Sequence, residues 1–368
     1  MKRVILSVTN DLVTDQRVHR SCTALYEAGY DVTLVGRRLK DSSPVERPYR
    51  TVRMSLLFRR KAVFYAEYNL RLFIRLLFSK ADLFYANDTD TLVANYLASV
   101  IRRKPLFLDA HEMFPEVPEL VGRPRVKRFW TVVENWIFPK LEHCCTVCHS
   151  IADIYHDRYG IHMEVVRNVP FKNTSEKLST IHRPYTLLYQ GAVNIGRGIE
   201  QLLAAMPLLP ECRLLIAGEG DLYDTLRAHT HATGLDTRVT FLGRVPMEHL
   251  REVTLQADLG LSLLQNRGLN YYYSLPNRIA DFAQAGVPVL ATDFPEIRQV
   301  VTQYGLGTLL PSGDENYPRK LADAIMSTLK EWEAKSPTER RDIFDRAGEV
   351  LCWEHDKNVL LNAVGKCF

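Results

Sequence analysis

The stretch YTLLYQGAVNIGRGIEQLL, residues 185–203, runs from a short apolar segment through a glycine-rich turn into a segment with helical spacing. A buried strand followed at once by a helix is the repeating unit of a parallel sheet with crossover helices. The pattern recurs downstream in CRLLIAGEG, VTFLG, LGLSLL and VPVLATD, each an apolar run that ends in glycine or a polar residue. This part of the chain is therefore predicted to form an α/β domain.

The same alternation occupies the first part of the chain. Its strand-like runs are residues 4–8, 32–35, 83–86, 106–109 and 144–148. We predict two Rossmann-like α/β domains, 1–172 and 184–350, joined by a polar linker at 173–183. The last segment, 351–368, has helical spacing and is expected to pack back on the first domain. Ligands of parallel sheets bind at the carboxyl ends of the strands, so two facing domains would share a cleft.

Composition narrows the class of protein. The length of 368 residues favours two domains, and the formal net charge is +4. The first 170 residues hold 26 Lys and Arg against 19 Asp and Glu, whereas the remainder holds 21 against 24. The first domain is thus basic, which suits nucleic acid, an anionic membrane or a phosphorylated substrate without distinguishing them.

Targeting signals are weak. The apolar run after Lys2 and Arg3 is too short for a signal-peptide core, and no stretch approaches the roughly 18–20 apolar residues of a membrane span. The seven cysteines are scattered, which favours reduced thiols. We therefore expect a cytoplasmic protein.

Glycines and one arginine mark the turn in the opening stretch. Gly191, Gly196 and Gly198 permit close approach to the backbone, and Arg197 can fork two oxygens of a diphosphate. The alternative is a glycine-softened turn with a solvated arginine. The spacing matches neither GxGxxG nor the Walker loop, which argues against ordinary dinucleotide and P-loop sites.

Further strand ends in the second domain carry similar residues. Gly218 and Gly220 follow one strand, and Gly243 and Arg244 follow the next. Each could be an ordinary turn, but all fall at the edge where ligands bind, which favours a shared nucleotide surface. The segment SLPNRIADFAQAGVPVLATD, residues 274–293, adds backbone N–H groups, a cation that can lie beside phosphate, and a carboxylate that can accept from ribose hydroxyls. These candidates are Leu275, Asn277, Arg278 and Asp281.

Several ordered motifs together resemble the GT-B glycosyltransferases of family 4. They are YQGAVNIGRGIEQLLAAM, IAGEGDLYDTL, VTFLGRVPMEHLREVTLQADLGLSLL and LPNRIADFAQAGVPVLATDFPEI in the second domain, and NDLVTDQRVHRSCTALYEAGYDVTLVGR and FLDAHEMFPE in the first. The resemblance covers nearly the whole chain. It implies a retaining transferase that uses a UDP- or GDP-sugar, without an obligatory metal or other cofactor, in a cleft between two Rossmann-like domains.

The motifs depart from the family pattern at three places. Arg197 and Gly198 stand where the family commonly has Lys-Gly, but Gly191 is followed by Ala192 where a Gly-Arg pair is usual. Asp281 takes the second of two acidic positions eight apart, and Tyr273 stands at the first. A glutamate that touches the donor sugar in many relatives is absent. The sequence Leu-Pro-Asn-Arg resembles that of a sub-branch of the family in which Pro-Asn-Lys precedes the carboxylate that binds ribose.

Polar residues follow the strands of the first domain. Asp109, His111 and Glu112 follow one strand, and Asn10, Asp11, Asp15 and Arg17 are expected on the loop after the first, pointing into the cleft. By resemblance, His111 would lie near donor sugar and acceptor, and Glu112 or Asp15 would orient the acceptor hydroxyl. No protein nucleophile stands out, which suits the family's front-side displacement, in which the leaving diphosphate helps to take the acceptor proton.

Two motifs have a structural alternative that we favour. Asp88-Thr89-Asp90 spells a metal-binding Asp-x-Asp, but its domain has no other metal signature. HCCTVCH places Cys145 and Cys148 at zinc-like spacing, but no second ligand pair follows. Buried thiols in a strand that leads into a helix near Ser150 explain this segment better.

The basic excess is concentrated in residues 50–80 and 123–140, where cations alternate with apolar and aromatic residues. Either segment could be a solvated helix face. On the first domain, to which we assign the acceptor, they also suggest docking on an anionic membrane surface, where a lipid-linked acceptor would be found. The predicted partners are a nucleotide sugar and a glycan or lipid-linked acceptor, with no nucleic acid.

We thus predict a hexosyltransferase of surface polysaccharide or lipopolysaccharide assembly. Two other functions are open from sequence: a nucleotide-sugar-binding protein with a decayed active site, which Ala192 and Tyr273 motivate, and a non-hydrolysing UDP-sugar epimerase of the same fold.

Overall fold

The computed structural model describes every residue except 14, 41, 118–119, 121, 174–180 and 314–316. It divides into two compact units, which we call the first unit (Met1–Asn168 with Asp356–Phe368) and the second unit (Val169–His355). Most of the predicted linker, 173–183, lies outside the described residues.

The first unit is built on a parallel sheet of seven described strands. Its spatial order is β3-β2-β1-β4-β5-β6-β7, and every pair is parallel. The strands are β1 (Arg3–Ser7), β2 (Asp31–Arg38), β3 (Arg50–Ser55), β4 (Leu83–Asn87), β5 (Leu106–Ala110), β6 (His143–Thr146) and β7 (Glu164–Val165). The chain order reverses where β1 pairs with β4, the place at which open parallel sheets bind their ligands.

Helices connect these strands. They are α1 (Gln16–Glu27), α2 (Lys61–Leu77), α3 (Thr89–Arg102), α4 (Pro124–Ile137) and α5 (His149–Tyr159). The chain ends in a helix, numbered last below, whose residues from Asp356 onward belong to the first unit. There the buried Asp356 carboxylate forms an ion pair with Arg167 at 2.8 Å, which holds the C-terminal helix to this unit.

The second unit repeats the architecture with six described strands. The order is β10-β9-β8-β11-β12-β13, again all parallel. The strands are β8 (Tyr185–Gln190), β9 (Cys212–Ala217), β10 (Val239–Gly243), β11 (Leu259–Ser262), β12 (Val289–Thr292) and β13 (Gly307–Leu310). The helices are α6 (Ile199–Ala205), α7 (Tyr223–Ala232), α8 (Met247–Thr254), α9 (Leu269–Tyr272), α10 (Asn277–Ala285), α11 (Pro295–Tyr304), α12 (Tyr317–Ala334), α13 (Pro337–Val350) and the terminal α14 (Trp353–Gly365).

Burial explains why these segments form strands. β4, β8, β11 and β12 are buried at every residue, as expected for parallel strands covered by helices on both faces. Leucine and aromatic side chains from both faces make the cores, for example Leu187 and Tyr189 of β8. The predicted α/β fold with two Rossmann-like domains is confirmed.

The structure also corrects one prediction. Residues 50–55 were assigned to a cationic amphipathic segment, but they form β3, whose register pairs Val52 with Val35 of β2. Met54 is the one buried residue of this strand, as expected at the edge of a sheet, where fewer neighbours cover the side chains. Within the basic segment 50–80, residues 61–77 form helix α2.

Candidate active site

Three glycines meet at the carboxyl edge of the second unit's sheet. The Gly191 amide donates to the Ala217 carbonyl at 2.9 Å, and the Gly218 amide donates to the Gly243 carbonyl at 2.8 Å. A Cβ on Gly218 would lie 1.8 Å from the Gly191 carbonyl oxygen. The loops after β8, β9 and β10 are therefore packed backbone against backbone, and the sequence-predicted glycines are brought together.

Two other predicted glycines permit similar close approach. A Cβ on Gly198, whose φ is +77°, would lie 2.2 Å from the Leu263 carbonyl oxygen. A Cβ on Gly220 would lie 2.2 Å from the Asn194 side-chain oxygen. These glycines let the loop after β8 sit against the ends of β9 and β11.

Arg278 lies beside the first of these loops. It is 7% exposed, its guanidinium lies 4.5 Å from the centroid of the Tyr189 ring, and its Nη1 is buried without a hydrogen-bond partner. A Cβ on Gly191 would lie only 2.9 Å from Nη2 of Arg278. Helix α10 therefore delivers a buried cation to the backbone of the glycine turn.

Arg197 is held in a similar way. Its guanidinium lies 4.6 Å from the centroid of the Tyr271 ring, and its Nε is buried without a hydrogen-bond partner. In the described part of the chain neither Arg197 nor Arg278 pairs with a carboxylate. Aromatic faces thus hold two guanidinium groups whose charge no described carboxylate neutralises.

Asp281 faces the end of β8. Its carboxylate accepts a hydrogen bond from the Gln190 amide at 3.0 Å, and the Gln190 oxygen accepts one from the Thr254 hydroxyl at 3.0 Å. Sequence reasoning missed Gln190 and Thr254 as supports of this carboxylate. The signal was the position of Gln190, a polar residue at the last place of a buried strand.

The remaining candidates of the second unit are more peripheral. Asn277 begins α10 and is exposed, and Arg244 is exposed just after β10. Leu275 packs against the core, so what it can offer a ligand is its backbone. Tyr273, at the place of an expected acid, follows α9 and lies edge-on to Tyr272, with ring centroids 4.9 Å apart.

In the first unit, His111 lies between two carboxylates. Its backbone N–H donates to Asp88 Oδ1 at 2.7 Å, and its Nδ1 is 3.2 Å from Asp88 Oδ2. Its Nε2 is 3.4 Å from Asp109 Oδ2, close enough for charge attraction but not aligned as a hydrogen bond. Burial alone would lower the pKa of His111, but Asp88 and Asp109 raise it to about 9. The imidazole is therefore held protonated at neutral pH.

Asp109 is fully buried at the end of β5 and is surrounded by donors. It accepts hydrogen bonds from Arg17 at 2.6 Å, from the Tyr85 hydroxyl at 2.8 Å and from the Cys145 thiol at 3.3 Å. Burial would raise the pKa of Asp109, yet Arg17 and then His111 hold it well below its usual range. Asp109 is thus a buried anion that positions His111.

This arrangement corrects the prediction for Arg17. Arg17 does not lie on the loop after β1 but in the first turn of α1, where it is 4% exposed. Besides pairing with Asp109 it donates to the Val166 carbonyl at 2.7 Å. The reason is that the buried Asp109 carboxylate requires a partner, and Arg17 is committed to it.

Asp88 is the residue that sequence reasoning undervalued. Asp88 is the N-cap of α3, and its backbone has φ +61° and ψ 166°, a conformation that residues other than glycine rarely adopt. The two acids of Asp88-Thr89-Asp90 turn to different partners, because Asp88 binds His111 whereas Asp90 accepts from the Thr9 hydroxyl at 2.5 Å. Burial, followed by the charge of Asp88, raises the pKa of Asp90 to about 7.

The loop after β1 is largely committed to structure. Asp15 caps α1, since its Oδ1 accepts from the Val18 N–H at 2.9 Å, and its other oxygen accepts from the Asn10 amide. Asp11 accepts from the Ser42 hydroxyl at 2.8 Å and pairs with Arg53 at 3.1 Å.

Glu112 follows His111 and is half-buried, and its charge contributes to raising the pKa of Asp88, which burial raises most. The cysteine-rich segment forms β6 and the N-cap of α5, as expected, with buried free thiols at 144, 145 and 148.

With this geometry established, comparison with known proteins defines the class. Residues 171–349 match the family described as glycosyl transferases group 1, and residues 15–170 match glycosyltransferase family 4. Together the two matches span 15–349. The chain belongs to the GT-B glycosyltransferases of family 4.

Two curated proteins are similar over part of the chain. A phosphatidyl-myo-inositol mannosyltransferase of Mycobacterium leprae (strain TN) is 31% identical over 158 residues, which are 39% of this chain and 37% of that protein. An uncharacterized glycosyltransferase of Methanocaldococcus jannaschii is 36% identical over 76 residues, 20% of each chain. The chain thus matches less than half the length of these relatives.

Solved structures match the whole chain at low identity. The sucrose-phosphate synthase from Thermosynechococcus elongatus has a TM-score of 0.81 at 18% identity, with 100% of this chain and 99% of that one covered. Anabaena HepE in complex with UDP-glucose has a TM-score of 0.76 at 14% identity, with both chains fully covered. The lipopolysaccharide outer core galactosyltransferase WaaB has a TM-score of 0.71 at 12% identity, with the same coverage. At these identities the likeness shows the fold.

Proposed function

We propose that the protein is an active glycosyltransferase that transfers a sugar from a UDP- or GDP-sugar to a glycan or lipid-linked acceptor, with retention at the anomeric carbon. The observation that carries this proposal is the pair of guanidinium groups on Arg197 and Arg278, each seated on a tyrosine ring and neither neutralised by a described carboxylate. A diphosphate supplies the missing negative charge.

Arg278 would bind the donor diphosphate in place of the family's arginine, which is absent because position 192 is alanine. The expected side chain would start directly after Gly191, and the Arg278 guanidinium lies against that same glycine. The guanidinium of Arg278, which α10 carries, thus lies where an arginine side chain from the loop after β8 would lie. This arrangement favours a functional donor site over a decayed one.

The ribose would lie at Asp281. A carboxylate can accept from two neighbouring hydroxyls, and the Gln190 amide fixes its orientation. Gly191, Gly198, Gly218, Gly220 and Gly243 would supply the room for the nucleotide, with backbone N–H groups of Leu275 and Asn277 at the start of α10 and with Arg244 near the rim.

For the chemical step, the developing charge on the leaving diphosphate would be stabilised by Arg197 and Arg278 without a metal. Fixed cations that face the leaving group stabilise it more in the transition state than in the substrate. On the first unit, His111 is our candidate for contact with the sugar, positioned by Asp88 and Asp109. Glu112 is a candidate for orienting the acceptor hydroxyl, and such a role for Asp15 rests on the resemblance alone.

The acceptor side of the proposal rests on surface chemistry and on the relatives. One curated relative is named as a phosphatidyl-myo-inositol mannosyltransferase and one structural neighbour as a lipopolysaccharide galactosyltransferase. Helices α2 and α4 expose apolar side chains next to cations: Leu70, Ile74, Phe78, Phe129, Val132 and Trp136. We therefore propose peripheral docking of this face on an anionic membrane surface, in the cytoplasm, during surface-glycan assembly. No helix within the described ranges is long and apolar enough to cross a membrane.

The donor proposal is tested by thermal unfolding in the presence of UDP, GDP, ADP and their sugars. We expect one uridine or guanosine series to stabilise the protein. Slow release of the free nucleoside diphosphate from the matching sugar would show catalysis, whereas stabilisation without release would indicate a binding protein. Conversion of a UDP-sugar to its epimer without acceptor would instead establish the epimerase.

Arg278→Gln supplies the site-specific test. Loss of one charged hydrogen bond to a diphosphate is expected to weaken donor binding by roughly tenfold or more, with the unfolding temperature of the free protein little changed. Arg227→Gln, at an exposed arginine on α7, is the matched control. Equal donor binding by both variants would remove Arg278 from the proposed site.

A further inference from the structure

Six cations lie at the end of β2 and at the start of α2. Arg37, Arg38 and Lys40 close β2 and follow it, and Arg59, Arg60 and Lys61 lead into α2. Neither 37–40 nor 59–61 contains an acid. Among the residues that the structure describes, none of the six has a carboxylate partner within ion-pair distance. We call these six residues the basic cluster.

One ring connects the two halves of the basic cluster. The Arg37 guanidinium lies 4.7 Å from the centroid of the Phe64 ring, and Phe64 is buried in the first turn of α2. The Nε of Arg37 is buried without a hydrogen-bond partner. Arg37 is thus seated on an aromatic face; its charge acts on the buried Asp90 without forming an ion pair among the described residues.

The backbone that carries Arg37 is held by the loop after β1. The Arg37 amide donates to the Asn10 carbonyl at 2.9 Å, and a Cβ on Gly36 would lie 2.4 Å from the Leu12 side chain. Leu12 itself has φ +70°, which is unfavourable for a residue with a side chain. Arg37 is therefore at the carboxyl edge of the sheet and anchored to the neighbouring loop.

The charges at the start of α2 oppose the helix dipole. Helix N-termini favour acids, yet α2 begins with cations, has no acid in its first turn and has no side-chain cap. The neighbouring acid, Glu67, is occupied, because it accepts from the N–H groups of Leu57 and Phe58 and pairs with Arg71 at 2.7 Å. An anion bound between the two halves would relieve this repulsion.

We propose that the basic cluster binds a phosphate or diphosphate group of the acceptor, with Arg37 as its central ligand. This inference rests on the proposed function, because the acceptor is assigned to the first unit. Phosphate is favoured over a single carboxylate because the six cations of the basic cluster provide more N–H donors than two oxygens can accept. The cluster would select phosphorylated acceptors over neutral glycans.

The test is calorimetric titration of the full chain with inorganic pyrophosphate while the donor site is saturated with UDP or GDP, whichever stabilises the protein against thermal unfolding. We expect pyrophosphate to bind, and binding to weaken about tenfold in Arg37→Gln and in the double variant Arg59→Gln/Lys61→Gln. The double variant changes only exposed side chains, so folding does not limit it. Arg50→Gln/Arg103→Gln, at the amino edge of the same sheet, is the matched control and should bind as the parent does.

Absence of pyrophosphate binding to the parent saturated with its nucleoside diphosphate would overturn the inference while leaving the proposed function intact. Equal weakening in the control would also overturn it, because the effect would then be general charge attraction. Failure of both UDP and GDP to bind would overturn the proposed function and this assignment with it. The source of the phosphate is distinguished by competition: phosphatidylcholine vesicles that contain phosphatidic acid displace pyrophosphate if a lipid carries the group, and do not if it is soluble.

Discussion

At the scale of single residues, the site is defined by how charges are paired or left unpaired. His111 is flanked by Asp88 and Asp109, and Asp109 is in turn neutralised by Arg17. Arg197 and Arg278 lie against aromatic faces and have no carboxylate partner among the described residues. Paired charges in the first unit position a side chain, whereas unpaired cations in the second unit are available to a ligand.

Asp88→Asn tests the pairing of His111. The variant removes one carboxylate that raises the pKa of His111, so this pKa should fall from about 9 toward its ordinary value of 6.5. Since the folded pKa of His111 is raised, its protonated form contributes stability that is lost as the pH rises through about 9. In Asp88→Asn we expect this loss to be complete at lower pH.

The pKa is measured by NMR titration of labelled histidine. Asparagine has the same shape as aspartate and adds no steric strain to this backbone, so the fold should be retained. Asp153→Asn, at an exposed acid on α5, is the control and should leave the His111 signal unchanged. An unaltered His111 titration in Asp88→Asn would show that Asp88 does not hold the imidazolium.

At the scale of secondary-structure elements, helix starts and strand ends determine where functional groups lie. The N-cap of α1 is Asp15, and the N-cap of α3 is the strained Asp88. The loops after β8, β9 and β10 are fixed by glycines whose missing side chains allow backbone contact. The elements therefore decide both the position of the site and the residues tolerated around it.

Asp15 is expected to act mainly as a helix cap. Asp15→Ala should lower the free energy of unfolding by about 1 kcal/mol, because an N-terminal N–H of α1 loses its acceptor. Asp15→Ser keeps a capping oxygen and should retain stability. Urea unfolding and transfer assays of both variants separate the roles: a serine variant that is stable but inactive would show that the carboxylate takes part in the reaction.

The glycines of the second unit differ in how much room a side chain would have if one were introduced. Gly218→Ala places a methyl group within 1.8 Å of the Gly191 carbonyl oxygen, so the second unit should unfold or lose its native loop. Gly243→Ala meets nothing closer than 3.6 Å, and its cost is the positive φ of 65°, about 1 kcal/mol. Thermal unfolding compares the two, and similar melting temperatures would contradict the backbone contact.

At the scale of the whole molecule, two α/β units of the same architecture differ in charge and in surface. The basic excess lies in the first 170 residues, and α2 and α4 of the first unit carry the exposed apolar side chains. Phe78 is 81% exposed, which water disfavours and a lipid interface accommodates.

The membrane proposal predicts a specific loss of vesicle binding. Phe78→Ser/Phe129→Ser should weaken co-sedimentation with phosphatidylglycerol-containing vesicles at least tenfold, because each ring contributes on the order of 1.5–3 kcal/mol when buried. Phe171→Ser, which changes an exposed aromatic residue of the second unit, is the matched control. Retention of the parent protein on neutral but not on anionic vesicles would contradict the proposal.

Much of the fold could be predicted from the sequence because its signals are local. Buried parallel strands appear as short apolar runs, and crossover helices appear as helical spacing between them, so β1, β4, β8 and β12 were recognised. β3, β7 and β13 were not, since β3 and β13 are only partly buried and β7 has two residues, so none of them has a comparable run. The glycines and Arg197, Arg278 and Asp281 were found because they directly follow strands or open helices.

The sequence by itself determined the class of fold, the edge of each sheet at which a ligand is expected and the residue types available there. The tertiary structure alone decided which charges are neutralised. Arg17 and Asp109, 92 positions apart, form a buried pair, whereas Arg37, Arg197 and Arg278 are seated on aromatic rings without such a partner. The reason is physical: secondary structure follows from neighbours along the chain, but the pairing of a charge depends on what the folded chain brings within a few ångströms of it.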